Sequence, residues 1–295
     1  MAIRGSCLCG DVAFEVNGTS DVMGHCHCSM CRKSHGTGFE TAIGVDAKNI
    51  RWIRGSEGVQ RFESSPGNFR AFCARCGSEV PNPTATGQTF VSAGLLDDDP
   101  ELRPGAHIFV ASKAPWHEIA DALPRFEGFP PGMGEPAAFS RPSEVAPGKV
   151  RGSCLCGGVA YEIDAPISGP IINCHCSRCR KGRAAAHASN LFVDPARFRW
   201  LRGEDQLSSY KVPDAERFTQ VFCRTCGSPV PRMHAGGTRP VAIPAGSLDD
   251  DPGIREEMHI FVGSKAPWYE IADALPQHET YPPGTYPPAA TQSRA

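Results

Sequence analysis

Residues 26–33 read C-H-C-S-M-C-R-K, and residues 174–181 read C-H-C-S-R-C-R-K. Each is the centre of one seven-cysteine pattern: Cys7, Cys9, Cys26, Cys28, Cys31, Cys73 and Cys76, then Cys154, Cys156, Cys174, Cys176, Cys179, Cys223 and Cys226. Two C-x-C or C-x-x-C pairs make a closed tetrahedral thiolate site, whereas a lone trio leaves a zinc with its fourth position open. Seven cysteines per copy therefore divide into four and three. This arithmetic predicts one structural and one open zinc site per copy, up to four zincs per chain.

The repeat reaches beyond the cysteines. R-G-S-C-L-C-G begins each copy (Arg4 to Gly10, Arg151 to Gly157), and H-I-F-V, S-K-A-P-W and E-I-A-D-A-L-P end it. The offset is 147 at Cys7 and Cys154, and 152 at Trp116 and Trp268, so the copies differ by small loop insertions. Proline-rich tails match as well, Pro130-Pro131-Gly132 with Pro282-Pro283-Gly284 and Ala137-Ala138 with Ala289-Ala290. At 295 residues the chain reads as two zinc domains, 1–138 and 150–295, joined by a polar, proline-containing linker at 139–149.

Net charge is -2, without runs of like charge, which argues against a nucleic-acid or anionic-membrane surface. The N-terminus has no apolar signal core, and no stretch approaches the roughly 18 apolar residues of a membrane span. The expectation is a soluble, cytoplasmic protein. In that reducing compartment, knuckle spacings favour thiolates on metal over disulfides.

Alternating apolar residues predict strands at Val12 to Val16 and Val159 to Ile163, with shorter ones at Phe90 to Ser92, Ile108 to Val110 and Ile260 to Val262. Short helices are expected around Trp116 to Ala122 and Trp268 to Ala274. With 31 glycines and 27 prolines as punctuation, the class is mainly β, stapled by metal.

Cys73/Cys76 and Cys223/Cys226 are followed by glycine, as in zinc knuckles, and the C-L-C pairs Cys7/Cys9 and Cys154/Cys156 are their natural complement. Closing such a site contributes folding free energy outright. In an extended stretch Cys26 and Cys28 share a face and His27 points away, so His27 is a poor fourth ligand. Two other readings of the trio stay open. His25, His35, His107 or His259 closes it, or it is a redox centre that oxidant would strip of zinc first. Leu96-Asp97-Asp98-Asp99-Pro100 and Leu248-Asp249-Asp250-Asp251-Pro252 read as turns or caps rather than calcium loops, because successive carboxylates cannot all face one ion. Trp116 and Trp268 read as core residues before substrate platforms, and His107 and His259 as hydrogen-bonded structural histidines before catalytic ones.

G-S-C-L-C-G, C-H-C-S-x-C-R-K, F-C-x-x-C-G-S and H-I-F-V-x-S-K-A-P-W occur in one order in each copy. By these motifs each copy resembles a domain of the glutathione-dependent formaldehyde-activating enzyme (GFA) and centromere protein V family. The resemblance covers nearly the whole chain, twice. It implies an Mss4-like β-tent. It also implies structural zinc on Cys7, Cys9, Cys73 and Cys76 and on Cys154, Cys156, Cys223 and Cys226, and catalytic zinc on Cys26, Cys28 and Cys31 and on Cys174, Cys176 and Cys179. The implied activity is a carbon-sulfur lyase reaction, in which glutathione and formaldehyde combine to S-hydroxymethylglutathione. Being a tandem, this chain departs from the single-domain pattern, and intrachain pairing is expected to replace a homodimer.

The functional reading is a thiol such as glutathione ionising on the open zinc and adding reversibly to a small aldehyde. Arg32, Lys33, Arg180 and Lys181 are candidates to hold the thiol's carboxylates, or else only offset the charge of three thiolates. No general base is identifiable, and His35 stands after the trio in the first copy alone. Lys33-Ser34-His35-Gly36 answers Lys181-Gly182-Arg183-Ala184, so the two sites need not share a substrate. The rival reading is a non-catalytic zinc-stapled binding module for a thiol metabolite or a protein partner.

Overall fold

The computed structural model describes residues 2–18, 20–82, 87–132, 147–234, 236–237 and 239–284. Most of the expected linker, residues 139–146, and both alanine pairs lie outside the described residues; Lys149, placed in the linker from sequence, opens a strand.

The protein is mainly β, as expected. The first copy runs β1 (Ile3–Ser6), β2 (Ala13–Val16), β3 (Met23–Cys26), α1 (Ser29–His35), β4 (Glu40–Asp46), β5 (Ile50–Arg54), β6 (Val59–Ser65), β7 (Asn68–Cys73), β8 (Glu79–Val80), β9 (Gln88–Ser92) and β10 (His107–Ile108). The second runs β11 (Lys149–Ser153), β12 (Ala160–Asp164), β13 (Ile171–Cys174), α2 (Ser177–Arg183), β14 (Ala188–Val193), β15 (Phe198–Arg202), β16 (Leu207–Lys211), β17 (Thr219–Cys223), β18 (Val241–Pro244), β19 (Glu256–Ile260) and β20 (Gln277–His278). Small sheets answer one another: β1-β2-β5 with β11-β12-β15, β10-β3-β4-β9 with β18-β14-β13-β19-β20, and β6-β7-β8 with β16-β17.

Two local expectations are corrected. The segments around Trp116 to Ala122 and Trp268 to Ala274 are turns and irregular chain. The first leads into chain that runs beside β10, where the His107 amide donates to the Pro124 carbonyl and Asp121 bonds the His107 ring. The α-helices instead follow the trios: Cys28 and Cys176 are N-caps whose sulfurs accept from the amides of Cys31 and Cys179, at 3.3 and 3.4 Å. Strands also stop at Ile108 and Ile260, because Phe109 and Phe261 adopt φ of 58° and the chain turns into a short 3-10 segment.

The two copies are interlocked through their cores. Ala266 and Trp268 of the second copy pack with Phe14, Met23, Phe39, Ile43 and Val91 of the first, while Ala114 and Trp116 of the first pack with Val150, Tyr161, Ile171, Leu191 and Ile243 of the second. Both tryptophans are buried, so the core reading holds, but each fills the other copy's core. Backbone meets backbone at this seam: a Cβ on Gly94 would stand 2.1 Å from the Ala185 amide nitrogen, and one on Gly246 would stand 2.3 Å from that of Thr37.

The aspartate runs carry ion pairs, of which Lys33–Asp249 and Lys181–Asp97 cross the same seam. Lys33 Nζ reaches the carbonyls of Ser153 and Ser247 at 2.8 and 3.2 Å and Asp249 at 2.7 Å. Lys181 Nζ answers it, bonding the Ser6 carbonyl at 3.0 Å, Asp97 at 2.6 Å and the Leu95 carbonyl. Asp98 pairs with Arg4 at 2.7 Å, and Asp99 with Arg103 at 2.9 Å.

Candidate metal centres

The fold gathers the fourteen cysteines into four groups. The β1–β2 loop carries Cys7 and Cys9, and the turn after β7 carries Cys73 and Cys76; their sulfurs all lie within 4.8 Å of one another. Cys154, Cys156, Cys223 and Cys226 repeat the arrangement. All are free thiols, with Cys7 and Cys9 sulfurs 3.4 Å apart. Ser78 and Ser228 tie each knuckle to its C-L-C loop, receiving the Leu8 and Leu155 amides at 3.1 and 3.2 Å. Hydrogen bonding from Cys7 holds the Cys76 thiol well below the ordinary range, and Cys154 does the same to Cys226. Four converging soft donors fit a tetrahedral zinc.

Cys26 ends β3, Cys28 caps α1 and Cys31 lies in its first turn, which brings their sulfurs within 4.8 Å; Cys174, Cys176 and Cys179 are built alike. In both trios the middle cysteine, Cys28 or Cys176, is pushed well below the usual thiol range by hydrogen bonds from its two companions. Three sulfurs converge where the tetrads have four, and the donor set fits a zinc with one position free.

The candidate basic residues separate. Lys33 and Lys181 are engaged at the seam, as described above. Arg32 and Arg180, by contrast, each keep a buried Nε without a hydrogen-bond partner.

Behind each trio runs a buried histidine relay. His27 Nε2 lies 2.8 Å from His107 Nδ1, and His107 Nε2 lies 2.9 Å from Asp121; His175, His259 and Asp273 repeat it at 2.8 and 3.0 Å. A carboxylate only accepts, so His107 donates from Nε2 and accepts at Nδ1, which leaves His27 Nδ1 bare. Burial depresses the His27 and His175 pKa values to about 2 and about 3, keeping both rings neutral. The aspartates stand in the repeated E-I-A-D-A-L-P, a signal that sequence reasoning passed over.

Beside the first trio stand polar side chains that the sequence reading missed. Register places Glu40 opposite Cys26, and Glu40 Oε2 lies 3.0 Å from Cys31 Sγ. Arg70 Nη2 stands 3.3 Å from the same sulfur, and its Nη1 stands 3.3 Å from Glu79. Nothing in a repeat could have marked them, since Ala188, Gln220 and Pro229 hold the corresponding places.

The family model described as glutathione-dependent formaldehyde-activating enzyme matches residues 2–112 and 149–264. A relative in Halomonas elongata, named "Putative glutathione-dependent formaldehyde-activating enzyme", is 32% identical over 130 residues, 40% of this chain and 82% of its own length. A crystal structure of a Rhodobacter sphaeroides protein is 27% identical, with a TM-score of 0.27, over 34% of this chain and 91% of its own. No helix among the described residues is long and apolar enough to cross a membrane.

Proposed function

The chain belongs to the glutathione-dependent formaldehyde-activating enzyme family, and from that premise we propose that it is a zinc-dependent carbon-sulfur lyase acting on a glutathione-like thiol and a small aldehyde such as formaldehyde. The observation that carries this reading is the contrast between tetrads and trios. Cys7, Cys9, Cys73 and Cys76, with Cys154, Cys156, Cys223 and Cys226, are the structural ligands; Cys26, Cys28, Cys31, Cys174, Cys176 and Cys179 are the catalytic ones. Zinc bound by three thiolates supplies one coordination position at which an incoming thiol ionises near neutral pH.

The chain's own residues do the rest. The amides of Cys31 and Cys179 donate to Cys28 and Cys176, fixing the sulfurs in place. Arg32 and Arg180, with Nε unpartnered, are the arms for a substrate carboxylate, whereas Lys33 and Lys181 hold the seam. In the addition, the thiol sulfur forms a bond to the carbonyl carbon. The C=O π pair moves onto oxygen, and the thiol proton ends there, so thiol plus aldehyde equals hydroxymethyl thioether.

The test follows ¹³C-formaldehyde by NMR in the presence of glutathione, with and without the zinc-loaded protein. Adduct formation faster than the uncatalysed rate supports the lyase. An unchanged rate with saturable glutathione binding favours the binding module instead.

A further inference from the structure

His35, Glu40 and Glu79 converge beside the first trio, with one ligand atom from each within 4.8 Å of the others. We propose that these three residues bind a divalent first-row metal ion, in a site distinct from the cysteine clusters and present once per chain. The inference does not depend on the lyase reading.

The geometry at His35 is the starting point. This ring is fully buried, and its Nδ1 lies 2.7 Å from the Arg183 carbonyl oxygen, which can only accept, so Nδ1 carries the proton. Nε2 has no hydrogen-bond partner and is aimed between Glu40 Oε1 and Glu79 Oε2, at 3.5 Å from each. An imidazolium between two carboxylates would draw them to roughly 2.7–2.9 Å. Neighbouring ligands of a tetrahedral ion with bonds of about 2.1 Å stand roughly 3.4 Å apart, close to the 3.5 Å from Nε2 to each carboxylate oxygen. Ring N–H to backbone carbonyl is also the usual outer contact of a metal-ligating histidine.

The carboxylates are held in the same way. Ser92 Oγ donates to Glu40 Oε1 at 2.9 Å, and Ser34 Oγ donates to Glu79 Oε2. The Arg70 guanidinium faces both Glu79 and Cys31, so one positive charge serves a thiolate and the carboxylates of buried Glu40 and half-buried Glu79. That shortfall is what a divalent ion would meet. In the second copy Arg183, Ala188 and Pro229 take the three places, leaving no such donor set. One nitrogen and two carboxylate oxygens suit zinc, manganese or ferrous iron.

The experiment measures zinc per chain after equilibrium dialysis against buffered free Zn²⁺, in the parent chain and in Glu79→Gln and His35→Gln. Each variant is expected to hold one zinc fewer than the parent. Equal zinc in all three overturns the site. Should the variants fail to fold, long-range ¹H–¹⁵N NMR of the zinc-loaded parent decides: a His35 ring protonated at Nδ1 alone supports the site, and protonation at both nitrogens overturns it.

Discussion

His35 Nδ1 donates a 2.7 Å hydrogen bond to the carbonyl of Arg183, the residue that holds His35's own place in the second copy. Counterparts with different side chains thus meet across the seam, next to the two trios. The copies share one framework while the surroundings of their trios differ, and each depends on the other for its core.

The exchange of tryptophans makes a directional prediction. Trp268→Ala is expected to cost about 3–5 kcal/mol, and to open the first copy's core. Hydrogen exchange should accelerate in β4 and β9, which line the pocket for Trp268, more than in β14 and β18. The reverse pattern would refute the exchange.

Crowding at the seam predicts that Gly94→Ala is destabilising, since its Cβ would stand 2.1 Å from the Ala185 nitrogen. Overpacking of this kind costs roughly 1–3 kcal/mol. Urea titration reads it as a lower midpoint, whereas Gly67→Ala, whose Cβ meets nothing within 4 Å although its φ is 74°, should cost less.

Lysine and arginine should separate in kinetics. Lys33→Met breaks the contacts with Ser153, Ser247 and Asp249 and is expected to lower stability by about 3 kcal/mol while leaving the KM for glutathione unchanged. Arg32→Gln together with Arg180→Gln is expected to raise that KM several-fold with little loss of stability. A raised KM in Lys33→Met would return the lysine to the substrate.

Burial depresses the His187 pKa well below its ordinary value. The unfolded chain then binds a proton that the folded one refuses, so stability falls as pH drops below about 6.5. Replacing this histidine, His187→Phe, should flatten the stability profile below pH 6.5 by up to about 1.4 kcal/mol per pH unit. Denaturant titrations at fixed free zinc check it, and an unchanged slope would mean that His187 is charged in the fold.

The cysteine framework was legible because metal chemistry constrains spacing locally. C-L-C, C-H-C-S-x-C and C-x-x-C-G each set two or three cysteines within a few residues, and the fold gathers them into the tetrads and trios that the repeat suggested. Helix position was not, because the signal at Cys28 and Cys176 is a sulfur acting as N-cap, while the Trp116 segment has helix-like composition but is irregular chain whose Asp121 bonds the His107 ring. Nor could spacing show which copy's core receives Trp116, since both cores are alike in composition. Glu40, Arg70 and Glu79 lie on separate strands and lack counterparts, so only the register of β3 against β4 and of β7 against β8 brings them to Cys31.

The most direct test of the open-site account compares glutathione-dependent formaldehyde consumption in the parent chain, Cys28→Ser, Cys176→Ser and the double variant, with zinc content and circular dichroism measured on each. Consumption that requires glutathione and disappears in the folded double variant, which keeps its tetrad zincs, is the predicted result. Undiminished consumption in that variant would contradict the account, as would unfolding on loss of either trio cysteine, which would make the trios structural.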